Sequence, residues 1–178
     1  MRELLEVARA SLACGVRSGA PLAVEPRDYA EPLRALRASF VTLEREGALR
    51  GCIGSLEPRR PLVVDVAENA FAAGFRDPRF SPLRAEELGE LEVRLSLLGA
   101  LEPLEVSSET ELLGRLRPGV DGLVIAEGSR RGTFLPGVWD AFAEPDAFLR
   151  ALKRKAGLEE AHWSCELRVW RYTVEELA

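Results

Sequence analysis

In Leu49-Arg50-Gly51-Cys52-Ile53-Gly54-Ser55, a thiol lies between glycines and two residues from an arginine. A thiol attacks as its thiolate, and a neighbouring guanidinium favours that charge. Residues two apart on a strand share a face, so Arg50 and Cys52 are expected to point one way and Gly51 and Ile53 the other. That geometry allows an Arg–thiolate pair with Cys52 as a catalytic residue. The competing reading is a small cysteine packed where a helix crosses a sheet, since free cysteine is among the most buried residue types. Gly51 and Gly54 divide in the same way. They permit close helix packing or mark a bulge, or they let backbone N–H groups approach an anion near the N-terminus of a helix starting at Pro61. No Gly-Lys-Ser/Thr follows, so this is not a phosphate loop, and packing explains the glycines more simply.

A second polar segment is Arg76-Asp77-Pro78-Arg79-Phe80-Ser81-Pro82. Its prolines stiffen the chain, and rigid polar loops are where binding groups are mounted. One reading puts Asp77 and Arg79 at the wall of a cleft floored by Arg50 and Cys52, with Arg131, Gly132 and Thr133 contributed from a later strand. Arginines so gathered would favour a carboxylate, a phosphate or an acidic peptide. The other reading is an Asp77–arginine pair that holds the loop, with Phe80 in the core. His162 is the only histidine, so a Cys–His dyad would have to use it. One histidine and three scattered cysteines match no metal-ligand spacing, and no metal or cofactor is expected.

The elements that would position these groups follow from hydrophobic periodicity. Leu4, Leu5, Ala8, Leu12 and Val16 fit one side of an N-terminal helix, which reads as a helix rather than a secretion signal. Residues 19–37 read as a connector over the core. Residues 38–56 predict a hairpin turning at Glu46-Gly47, and 61–75 a helix with Val63, Val66, Ala67, Ala70 and Gly74 opposed by Asp65, Glu68, Asn69 and Ala72. A strand alternates at Leu91, Val93, Leu95 and Leu97. A helix capped by Ser108 follows, then a hairpin at Glu127-Gly128, a helix in two pieces broken at Pro145, and one closing strand over residues 164–177. Lys153-Arg154-Lys155 and Arg130-Arg131 read as solvated faces, and the tryptophans as core or interface anchors.

The chain has 178 residues, net charge −5 and 30% charged residues, which suits one soluble domain and argues against bulk nucleic-acid affinity. No apolar run is long enough for a membrane span. Three cysteines without paired spacing suggest reduced thiols and a cytoplasmic setting.

The two hairpins share an order of features: apolar strand, Glu-Gly, Arg-Gly in the return strand, helix, then Glu-x-Arg at 92–94 and 166–168. This predicts an internal duplication over about 38–100 and 108–178, as a hairpin–helix–strand unit that cannot bury its sheet face alone.

The strings LRGCIG (49–54), DPRFSPL (77–83) and RGTFLP (131–136), with DGL (121–123) and KAGL…W (155–163), resemble the signatures of the AMMECR1 domain family over nearly the whole chain. The resemblance implies an α+β fold of two β-rich repeats whose strands form one curved, barrel-like sheet with helices packed on it. It implies no established activity. Prokaryotic members resemble the first component of an AmmeMemoRadiSam gene association, beside a Memo-like protein and a radical SAM protein. The expected function is therefore small-ligand or partner binding beside those enzymes. The alternatives are an enzyme with Cys52 as a reactive thiol, or an RNA or nucleotide binder using the arginines.

Overall fold

A computed structural model describes residues 1–178. Leu4, Val7, Ala8, Leu12 and Gly15 line the buried side of α1 (Arg2–Ser18), which ends where Gly19 takes a left-handed φ of 68°. Short α2 (Glu31–Arg34) follows in the connector. β1 (Ser39–Arg45) and β2 (Ala48–Gly54) pair antiparallel around Glu46 and Gly47, at φ 52° and 75°. Two successive positive φ values match the right-handed twist of the strands they join. α3 (Leu62–Phe75) crosses back, and β3 (Leu91–Leu98) pairs with β1 on the side away from β2.

The later elements are β4 (Glu102–Pro103), α4 (Glu109–Arg115), β5 (Gly122–Glu127), β6 (Arg130–Phe134), α5 (Pro145–Lys155), β7 (Arg168–Tyr172) and β8 (Val174–Leu177). Ser108 caps α4, its hydroxyl accepting the Glu111 N–H at 3.2 Å.

The expectation of one barrel-like sheet is corrected. There are two four-stranded sheets, β2-β1-β3-β8 and β4-β7-β5-β6, and no closed barrel. They belong to two compact units, residues 1–98 with 175–178, and residues 99–174. The expected closing strand is two strands, interrupted at Thr173: β7 pairs with β5 in the second unit, while β8 lies beside β3 in the first. Each hairpin is extended by the strand that follows its helix, giving β2-β1-β3 and β6-β5-β7.

In the first unit, Leu4, Leu12, Val41, Leu43, Val66, Ala70, Leu95 and Leu97 belong to one core between α1, α3 and the sheet. In the second, Phe148 of α5 stacks on Trp139 at 3.7 Å, beside Leu123, Ile125 and Val169. The stretch expected to be helical in two pieces is a 3-10 turn at Pro136–Ala141 and then α5, which Pro145 begins because a first-turn residue needs no amide hydrogen.

Lys153, expected on a solvated face, is buried, as are Asp65 and Asn69 on the side of their helix opposite the apolar stripe. Lys153 is 0% exposed and donates to Glu109 Oε2 at 2.8 Å and Glu160 O at 3.0 Å. Asp65 and Asn69 of α3 bond each other and Ser39, so they face the strands rather than water. Buried polar groups persist where every donor finds an acceptor.

Candidate functional site

β2 is the edge strand of the first sheet, and it is irregular. Thr42 pairs with Cys52 and Leu43 with Gly51, but Glu44 pairs with Leu49, so Arg50 is the extra residue of a β-bulge. A bulge ends strict alternation and re-aims its side chain. The Arg50 and Cys52 side chains take different hydrogen-bond partners, and no Arg50–thiol pair is formed. The Arg50 guanidinium goes to Glu87, with Nε 2.7 Å from Oε1 and Nη2 3.1 Å from Oε2, and Nη2 also reaches Ser81 O at 3.0 Å. The Cys52 thiol instead lies 3.4 Å from the Thr42 hydroxyl.

Gly51 meets α3 at its backbone. A Cβ there would stand 2.2 Å from the Ala73 carbonyl oxygen, so only glycine lets strand and helix approach so closely. Gly54 lies under the Phe40 ring, with which it pairs. The first turn of α3 is filled by the chain's own Asp65. Its Oδ1 accepts from Ser55 Oγ at 3.0 Å and Arg60 Nε at 3.1 Å, and its Oδ2 from the Ser39 amide at 2.9 Å.

Asp77 and Arg79 meet Cys52 through the backbone. Asp77 is buried. Its Oδ2 accepts the Cys52 N–H at 2.9 Å, and Arg79 grips the carboxylate with Nε at 2.9 Å from Oδ1 and Nη2 at 2.6 Å from Oδ2. Arg79 Nη2 also donates to the Cys52 carbonyl at 3.3 Å. The ion pair thus offers an acceptor and a donor to one residue of an edge strand, as a neighbouring strand would. Arg79, followed by the Cys52 and Arg79 amides, holds the Asp77 carboxyl well below the usual carboxylate range. Phe80 is half-buried, its ring centroid 5.4 Å from the Arg79 guanidinium carbon and 5.9 Å from that of Arg50.

Arg50, Cys52, Asp77 and Arg79 therefore meet in one cluster of the first unit. Glu87 completes it and was not singled out from sequence. It accepts from Arg50 and from the Arg84 amide, and Arg50 chiefly lowers its pKa. The signal was Arg84 three residues before Glu87, a spacing for an N-terminal cap without the usual cap residue.

Arg131, Gly132 and Thr133 lie on β6 of the second unit. Arg131 is exposed, Gly132 packs on Ala156, and the Thr133 hydroxyl donates to Leu123 O at 2.9 Å and lies 2.9 Å from the Tyr172 hydroxyl. His162 is also in that unit, with Nε2 2.8 Å from Glu127 Oε2. Glu127 also accepts the Ser164 hydroxyl, and these two contacts, Ser164 first, lower its pKa. The carboxylate sits between serine and histidine, so this is not a nucleophile–base pair. No three His, Cys, Asp or Glu side chains form a metal-holding group, and no helix is long and apolar enough to cross a membrane.

The AMMECR1 family model matches residues 5–177. A protein of Methanothermobacter thermautotrophicus is 39% identical over 180 residues, covering 98% of this chain and 91% of that relative. A Thermotoga maritima protein is 37% identical over 139 residues, covering 77% of this chain and 75% of its own length. The crystal structure of an uncharacterized protein from Pyrococcus horikoshii superposes with a TM-score of 0.88 at 32% identity, covering 98% of this chain and 88% of that one.

Proposed function

Because the chain belongs to the AMMECR1 family, we propose that it is a binding protein acting beside a Memo-like protein and a radical SAM protein, with the Arg50–Cys52–Asp77–Arg79 wall as its contact surface. One observation supports binding over catalysis. The groups around Cys52 are committed to holding the backbone in place: its amide to Asp77, its carbonyl to Arg79 and its thiol beside Thr42. A rigid surface loses little entropy on binding, and the Cys52 thiol has the Thr42 hydroxyl beside it rather than a base. Arg79, 53% exposed on its side chain, is the part of the wall most open to a partner. Arginine and aromatic side chains such as Arg79 and Phe80 are the types that anchor interfaces.

The test is capture of the tagged full chain from native lysate, with bound proteins identified by mass spectrometry. The Memo-like and radical SAM proteins should be recovered, and Arg79→Glu should release them. Recovery of neither from wild type overturns the reading. A catalytic Cys52 is the competing outcome: alkylation mapped to Cys52 by mass spectrometry and faster at neutral pH than that of exposed Cys165 would favour it. The shared strand order of β2-β1-β3 and β6-β5-β7 supports a tandem origin for the two units.

A further inference from the structure

We propose that Arg50 forms the floor of a subsite for a single oxyanion, a carboxylate or phosphate group of a small molecule, with Phe80 as its cover. This rests on the reading of the Arg50–Arg79 wall as a binding surface and specifies what that surface holds.

The argument begins with an orphaned donor. Arg50 Nε and Nη2 are satisfied by Glu87 and Ser81, but Nη1 is buried and has no hydrogen-bond partner. A guanidinium nitrogen shut from water without an acceptor is destabilising, and supplying the acceptor recovers that loss. The Arg50 side chain is 13% exposed, so a bulky group cannot reach it without movement.

Phe80 can supply the movement. Its ring centroid lies 5.9 Å from the Arg50 guanidinium carbon and 5.4 Å from that of Arg79. It is not among the residues packed into the apolar core of the first unit. The space taken by the ring is therefore bordered by two cations. An oxyanion replacing the ring would accept from Arg50 Nη1 and meet the Arg79 guanidinium, the charge-assisted contacts arginine favours. The Asp77–Arg79 pair and the Arg50–Glu87 pair hold the two guanidinium groups in place beforehand.

The test titrates inorganic phosphate and acetate separately into isotope-labelled full chain, following arginine Nε–H and backbone amide signals by NMR. Phe80→Ala should bind one of the two anions about tenfold or more tighter than wild type, with shifts centred on Arg50 and Arg79. The preferred anion identifies phosphate or carboxylate as the ligand group. Phe80→Leu, which keeps an apolar cover, should gain less than Phe80→Ala, and Val120→Ala, an exposed change in the second unit, should behave as wild type. Adding Arg50→Lys to Phe80→Ala should abolish the gain, and Arg79→Gln should reduce it. The proposal is overturned if Phe80→Ala binds neither anion more tightly, or if the gain survives Arg50→Lys. Protein capture from lysate is a separate readout, so failure here leaves the partner reading standing.

Discussion

β2 and β6 are both Arg-Gly strands at a sheet edge, each returning from a hairpin and each packed against the helix that follows. They differ in how closely the helix approaches and in what covers the edge. Gly51 abuts a carbonyl oxygen of α3, whereas a Cβ on Gly132 would meet the amide nitrogen and Cβ of Ala156 at 3.0 Å. At the edge of β2, Cys52 has both its amide and carbonyl taken by an Asp–Arg pair. At β6, the Thr133 carbonyl accepts from Lys155 at 3.0 Å, and the threonine hydroxyl bonds inward. Similar chain paths thus leave different chemistry at the surface. In the first unit an ion pair holds the edge residue; in the second a single lysine and a threonine hydroxyl do.

The largest test of this contrast is Gly51→Ala against Gly132→Ala. The first must displace backbone and should cost about 3 kcal/mol or more, the second about 1–2 kcal/mol, measured by chemical denaturation. Equal losses would remove the distinction.

Asp77→Ala should cost about 1–3 kcal/mol by leaving the Cys52 amide and Arg79 without their acceptor. The folded Asp77 pKa lies below its unfolded value. Its stabilisation is therefore complete above the unfolded value, about 4, and is lost as pH falls through the folded one. The gap between wild type and Asp77→Asn should be constant at neutral pH and shrink below about pH 4. A gap independent of pH down to the acid transition would sink the assignment.

Tyr172 offers the opposite sign. Burial pushes its phenol up to about 12, and its hydroxyl meets Thr133 Oγ1 at 2.9 Å and donates to Phe134 O at 3.1 Å. Its stability is complete below about pH 10 and is lost as pH rises toward 12. Tyr172→Phe should cost about 1 kcal/mol at neutral pH and flatten the alkaline loss. The smallest contrast is Cys52→Ala, expected below about 1 kcal/mol, against Thr133→Val at about 1 kcal/mol, because a thiol is the weaker hydrogen-bonding group.

Much of the architecture was legible because its signals are local. The Glu46-Gly47 turn, the α1 stripe and the β3 alternation follow from φ preference and periodicity. The misses share a cause: long-range pairing overruled a local rule. Asp65, Asn69 and Lys153 look like surface residues until partners distant in sequence satisfy them. The bulge at Arg50 depends on register with β1, which residue types in β2 alone do not encode. Cys52, Asp77, Arg79 and Arg50 were identifiable as neighbours, but Glu87 was hidden inside an ordinary acidic helix start. The break at Thr173 divides one continuous β-favouring run between two sheets.

The position of residues 175–178 bears on how the protein is made. They join a sheet whose other strands end at Leu98, so 76 residues intervene before that sheet can be completed. The whole of the second unit is therefore synthesised between β3 and the strand that covers its free flank. Such distant closure slows folding and prolongs exposure of a strand edge.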